Sequence, residues 1–189
     1  NFGCIPSYAE AAWARISWLS SHHPARRTFV VERGDGTLHR GELVLRLRQL
    51  LLAQGLQPEL LRAVADGGGA IVNIASCWGV HPGPNHPIYC MSKAAVASMT
   101  QCLGHDHAHQ GVRINAVCPN EVDTSMLRSG FSARGMDPDT AIASLNASVP
   151  LGHIAEPQEI ADVVLFLASD EARYMCGSLV EVNGGKAVY

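Results

Sequence analysis

Tyr89 and Lys93 stand four residues apart in Tyr-Cys-Met-Ser-Lys, and Ser76 precedes Tyr89 by thirteen. A helix turns every 3.6 residues, so positions i and i+4 set a phenol and an ammonium one turn apart on one face. A nearby fixed positive charge stabilises a phenolate, so the pair predicts a tyrosine pKa drawn down from about 10 toward the working pH. A tyrosine so tuned serves as a general acid or base. Ser76 follows the apolar run Ala70-Ile71-Val72-Asn73-Ile74-Ala75, which reads as a buried strand. A hydroxyl at the carboxyl end of such a strand points into the crevice where open α/β sheets bind ligands. Taken alone, Tyr-x-x-x-Lys also describes an interfacial tyrosine beside a solvated lysine. The strand, the serine and Gly79 shift the reading toward chemistry.

These side chains need a scaffold, and the second part of the chain parses into one. Residues 42–65 read as a helix rich in leucine and arginine, which Gly67-Gly68-Gly69 ends before a strand at 70–75. Residues 78–87 read as a loop bearing proline and glycine, placed to form a wall of a substrate pocket. The helix carrying Tyr89 and Lys93 runs to about His109, with Ala94, Ala95, Ala97 and Ser98 permitting close packing and Gly111 marking its end. A strand at 112–117 leads into a polar stretch at 119–137, read as a long functional loop, and then a short helix at 138–147. Glu156-Pro157-Gln158-Glu159 opens a further helix, with proline near the first turn and acidic groups at the positive end of the dipole. Ile160, Val163, Val164 and Leu167 form its buried stripe, and a strand follows at 179–182. Strands alternating with helices predict an α/β fold with a parallel sheet and crossover connections.

With these segments in place, the chain resembles the short-chain dehydrogenases/reductases from about Pro58 to Gly185. Gly-Gly-Gly-Ala-Ile-Val-Asn-Ile-Ala-Ser-Cys-Trp-Gly, residues 67–79, looks like the family's fifth strand and catalytic serine, and the spacing from Ser76 to Tyr89 is the family's usual one. Asn115 through Thr124 resembles the sixth strand and its Asn-x-Val-x-Pro-Gly-x-x-x-Thr turn, and Gly177 through Gly185 the last strand with its Asn-Gly-Gly end. The resemblance implies a Rossmann-like, doubly wound parallel sheet, incomplete at its N-terminal side. It implies hydride transfer between NAD or NADP and a small-molecule secondary alcohol or ketone. Tyr89 would exchange the proton, Lys93 would lower its pKa and hold the nicotinamide ribose, and Ser76 would bind the substrate oxygen. Pro119, Val122 and Thr124 match positions that contact the nicotinamide end. The family also implies a homo-oligomer, a dimer or tetramer, with the Tyr89 helix at a subunit interface. Asn120 replaces the family's glycine after Pro119, and asparagine is expected to carry the turn through its tolerance of positive φ.

Residues 1–57 do not fit. The family opens with Thr-Gly-x-x-x-Gly-x-Gly, whose glycines let the backbone approach the cofactor pyrophosphate. Gly3, Gly34, Gly36, Gly41 and Gly55 do not form that pattern, and no asparagine lies between Phe2 and Val72, so the family's Asn-Asn-Ala-Gly segment is missing too. One account is a shortened relative with another use for this segment, a non-catalytic remnant that still oligomerises. The other, favoured by the isolated tryptophans, the clustered His-His-Pro and arginines, and the absence of lysine before Lys93, is a segment read out of frame or a partial coding sequence. The expected domains are therefore an unmatched 1–57 and a dehydrogenase part at 58–189.

Composition narrows the classes. At 189 residues, with 47% hydrophobic and 16% charged residues, the chain is sized for one globular domain. A net charge of −3 gives no reason to expect nucleic acid, and no apolar run approaches the roughly 20 residues that span a bilayer. Six scattered cysteines without a Cys-x-x-Cys pair, and no visible secretory signal, predict a reduced, cytoplasmic setting. His105, His107 and His109 alternate, so neighbours in that series point to opposite sides of a helix, and no metal site is expected. The substrate pocket is expected from residues 77–88 and 125–150, with Trp78, His81, Met126, Leu127, Phe131 and Met136 making it largely apolar.

Overall fold

A computed structural model describes Thr28–Val31 and residues 67–186. Its framework is a parallel sheet in the sequential order β1 (Thr28–Val31), β2 (Gly69–Ile74), β3 (Val112–Pro119) and β4 (Leu179–Val182). β2 and β3 pair from Gly69 opposite Val112 to Ile74 opposite Val117. Both strands are buried nearly end to end, as expected of parallel strands covered on both faces.

Alternation along β2 and β3 decides which helix covers which face. Ala75, Ala116 and Cys118 pack against Val96 of α2 (Pro87–His107) on one side. Val72, Ile74 and Val117 pack against Ile160, Val164 and Leu167 of α5 (Pro157–Ala168) on the other. Helices on opposite faces of a parallel sheet make the α/β, doubly wound arrangement. Among the described residues the sheet is partial: strand order does not reverse within its four strands. The buried Asn73 donates to Thr100 Oγ1 at 2.9 Å, so the one polar side chain in the middle of β2 is partnered by the covering helix.

Close approaches fix the layers. A β-carbon on Gly104 of α2 would stand 2.6 Å from the Gly177 nitrogen, so only glycine lets this helix lie on the segment entering β4. On the opposite face, Arg113 reaches from β3 to the carbonyls of Leu167, Ala168, Ser169 and Ala172, at 2.8–3.3 Å, and closes the C-terminal end of α5. At the other end of α5, Pro157 occupies the first turn and the Glu159 carboxylate accepts from the Glu156 amide at 2.7 Å.

Two expectations change. Residues 119–137 do not form one long loop: Thr124 caps a helix, α3 (Ser125–Ala133), before α4 (Pro138–Ala147) begins at the Asp137 cap. Glycine and serine within Ser125–Ala133 obscured a helix whose amphipathic face buries Phe131 and half-buries Leu127. Residues 78–87 likewise begin with a helical turn, α1 (Cys77–Val80), capped by Ser76. The expected helix at 42–65, the missing glycine turn and most of the segment 1–57 lie outside the described residues.

Candidate active site

Ser76 leaves β2 in extended conformation (φ −168°) and caps α1, its Oγ accepting from the Trp78 amide at 3.1 Å. The same hydroxyl lies 3.5 Å from the Pro119 carbonyl, to which it donates. It thus stands between the carboxyl ends of β2 and β3, the place the sequence assigns to it. Gly79 lets α1 lie directly on the backbone of α2 at Lys93.

α2 starts at Pro87 and brings Tyr89 and Lys93 to this point one turn apart. Tyr89 is half-buried, edge-on to Trp78 with ring centroids 6.2 Å apart. Its hydroxyl interacts with the Ser76 side chain. Lys93 is buried; its Nζ sits 5.9 Å from the Tyr89 ring centroid and donates to the Ile74 carbonyl at 3.1 Å. Serine, tyrosine and lysine therefore meet at one end of the sheet. The direction of the tyrosine pKa is the opposite of that expected. Burial raises it above the ordinary value, and the bond from Ser76 only partly offsets this. Lys93, bonded to the Ile74 carbonyl and beside the ring, does not reverse that desolvation.

Pro119 ends β3, Val122 and Thr124 follow in the turn after it, and all three are buried. The Asn120 amide donates to Val182 at 3.0 Å, the Asp123 amide to Ala155 at 2.9 Å, and Val122 bridges to Ala155. Thr124 Oγ1 accepts from the Leu127 amide at 3.2 Å and so starts α3. Asn120 needs no left-handed backbone: among the described residues other than glycine, only Asn85 has positive φ. The turn closes through its amide instead.

α3 and α4 share a small core of their own, Phe131, Ala141, Ile142, Val149 and Ile154, with Leu127 and Leu145 against it. Phe131 and Leu127 are thus packed between these two helices, whereas Met126 and Met136 are 45% and 49% exposed. His81 is drawn to Glu181 of β4, at 3.1 Å. His105 contacts Asp106, His107 contacts Gln110, and His109 lies past the end of α2, so the three do not converge. Sequence reasoning missed Arg128, which forks onto Asp123 at 2.7 Å and reaches Asp139 at 2.7 Å. Asp123 precedes the helix, so no helical i, i+4 spacing marks the pair.

The family model described as enoyl-(acyl carrier protein) reductase matches residues 50–187. This chain is a member of the short-chain dehydrogenase/reductase family. It is 45% identical over 139 residues to protein FixR of Bradyrhizobium diazoefficiens, covering 72% of this chain and 45% of that protein. It is 34% identical over 193 aligned positions to 4-formylbenzenesulfonate dehydrogenase TsaC1/TsaC2 of Comamonas testosteroni, covering 96% of this chain and 73% of that enzyme. The solved structure of levodione reductase superposes with a TM-score of 0.76 at 26% identity, over 97% of this chain and 75% of its own. The chain spans about half the length of the first curated relatives it matches. Among the described residues, no helix is long and apolar enough to cross a membrane.

Proposed function

We propose that Ser76, Tyr89 and Lys93 form the acid–base site of an NAD(P)-dependent oxidoreductase acting on a small secondary alcohol or its ketone. The observation that carries this reading is the meeting of the three side chains, drawn from β2 and α2, at the carboxyl end of the sheet. The donor set fits the nicotinamide half of the cofactor. The Lys93 ammonium and the Tyr89 and Thr124 hydroxyls are groups that pair with sugar hydroxyls and a carboxamide, and Pro119 and Val122 offer an apolar backing. The bound nicotinamide supplies the hydride.

The protein's own groups handle the proton. With its pKa raised by burial, Tyr89 keeps its proton at neutral pH and is suited to donate it to a carbonyl oxygen as that oxygen gains charge. The Ser76 hydroxyl donates to the same oxygen and steadies it. The tyrosinate left behind is stabilised by the Lys93 ammonium, which the Ile74 carbonyl holds beside the ring. In the reverse direction the tyrosinate form, stabilised by Lys93, takes the alcohol proton back.

α2 carries Met91, 47% exposed, with Ala94 near it on the flank lined by Pro82, Pro87 and Cys90. That flank supports packing against a second copy, as a dimer or tetramer. The five free cysteines among the described residues fit a reducing compartment, the cytoplasm.

The test is titration of the protein with NADH and NADPH, followed by turnover on a panel of small ketones. Micromolar binding of either dinucleotide with ketone-dependent oxidation, abolished in Tyr89→Phe, supports the reading. A well-folded protein that binds neither dinucleotide is instead the non-catalytic remnant.

A further inference from the structure

The turn from Val122 to Thr124 is held from two sides. On one, its backbone pairs with Ala155 through the Asp123 amide, at 2.9 Å, and the Val122 bridge. On the other, a guanidinium takes hold of the Asp123 carboxylate. Nε lies 2.7 Å from Oδ1 and Nη2 lies 2.7 Å from Oδ2, the two-point fork in which an arginine fixes a carboxylate in angle as well as distance. The remaining arm, Nη1, reaches Asp139 at the start of α4 at 2.7 Å.

The two arms are unequal. The Asp139 side chain is 86% exposed, and exposed pairs contribute little because water competes for both partners. The Asp123 side chain is 17% exposed and two-point bonded. Arg128 itself is rooted in the same turn, its amide donating to the Thr124 carbonyl at 3.0 Å. The fork therefore closes a ring from Asp123 through the Thr124 cap to the first turn of α3.

We propose that Arg128 is a positioning residue, whose fork onto Asp123 holds the Val122–Thr124 turn in register for contact with the nicotinamide half of the cofactor. The second half of this inference rests on the function proposed above. The arm to Asp139 joins α3 to α4 and is secondary. Lysine keeps the charge of arginine but has a single nitrogen, so it cannot hold both carboxylate oxygens in one plane.

Arg128→Lys and Asp139→Asn separate the arms. Amide exchange at Asp123, Leu127 and Arg128, each of which donates within or beside the turn, should quicken about tenfold in Arg128→Lys and change less than about twofold in Asp139→Asn. NADH and NADPH should bind about fivefold more weakly to Arg128→Lys, while ADP-ribose, which lacks the nicotinamide, should bind as it does to the unaltered protein. A general loosening of the fold would weaken all three ligands alike and would overturn the proposal. So would unchanged exchange in Arg128→Lys, or an equal effect of Asp139→Asn. If the unaltered protein binds no dinucleotide, the function proposed above fails, and the exchange comparison alone decides whether Arg128 holds the turn.

Discussion

A β-carbon on Gly79 would stand 2.6 Å from the carbonyl carbon of Lys93 and 2.9 Å from its Cβ. The carbonyl carbon is backbone, as is the Lys93 carbonyl oxygen at 2.7 Å, so the obstruction cannot swing aside. Gly79 thus sets the distance between α1, which Ser76 caps, and the turn of α2 that carries Lys93. Gly79→Ala should push these elements apart and cost about 1–3 kcal/mol of stability in denaturant titration, the usual effect of overpacking. Turnover should fall more than stability does, because Ser76 moves with α1. Unchanged midpoint and turnover would mean that the contact is slack.

Tyr89 and Lys93 should separate chemistry from stability. Tyr89→Phe removes one hydroxyl from a half-buried ring, so the fold should keep its midpoint while ketone reduction falls by about 10²–10⁴-fold. Lys93→Met removes the donor to the Ile74 carbonyl as well as the charge beside the ring. That substitution should lower turnover and also cost about 1–3 kcal/mol, the penalty for a buried acceptor left without its partner. Equal stability losses in the two variants would show that Lys93 is not structurally committed.

Buried thiols give the fold an alkaline limit. Burial pushes Cys77 from 9.0 up to about 12 and Cys118 from 9.0 up to about 11, with the Glu181 carboxylate adding to both. A folded-state pKa above the unfolded one means that the folded protein retains protons the unfolded chain releases. The contribution of these thiols is therefore fully present below pH 9 and should decline as pH rises toward 11 and 12, with Tyr89 adding to the loss above pH 10. Denaturant midpoints across this range should fall, and Cys77→Ser together with Cys118→Ser should flatten the slope between pH 9 and 11. At pH 8, iodoacetamide should label the exposed Cys102 well before the buried Cys77 or Cys118.

Much of this arrangement was legible from residue type and spacing alone. The run 70–75, the i, i+4 pair and the alternation of strands and helices each depend on local periodicity, and the structure has β2, α2 and the parallel sheet where those periods put them. Two things were not legible. α3 hides its period behind Ser125, Ser129, Gly130 and Ser132, and only packing against α4 reveals its buried face. The direction of the Tyr89 pKa depends on how deeply the ring is covered, a property of three dimensions that four-residue spacing does not carry. Arg128 escaped for a related reason: its partners lie in a turn and on a second helix, eleven residues apart in the case of Asp139.

Arg113 offers the clearest test that the sheet and α5 stabilise each other. It stands in β3, yet its guanidinium donates to four carbonyls at the C-terminal end of α5 and the turn after it, where the helix runs out of amide donors; those of Ser169 and Ala172 also accept from the Ala172 and Met175 amides. A cation there also meets the negative end of the helix dipole. Arg113→Met keeps the apolar stem and removes both effects, and should cost about 2–4 kcal/mol. Arg113→Lys restores the charge but not the fork, and should recover less than half of that loss. Exchange should quicken first at the amides of Leu167, Ala168 and Ser169, while those of β2 keep their protection. Uniform loss of protection across the sheet would instead mean that Arg113 supports the strand itself.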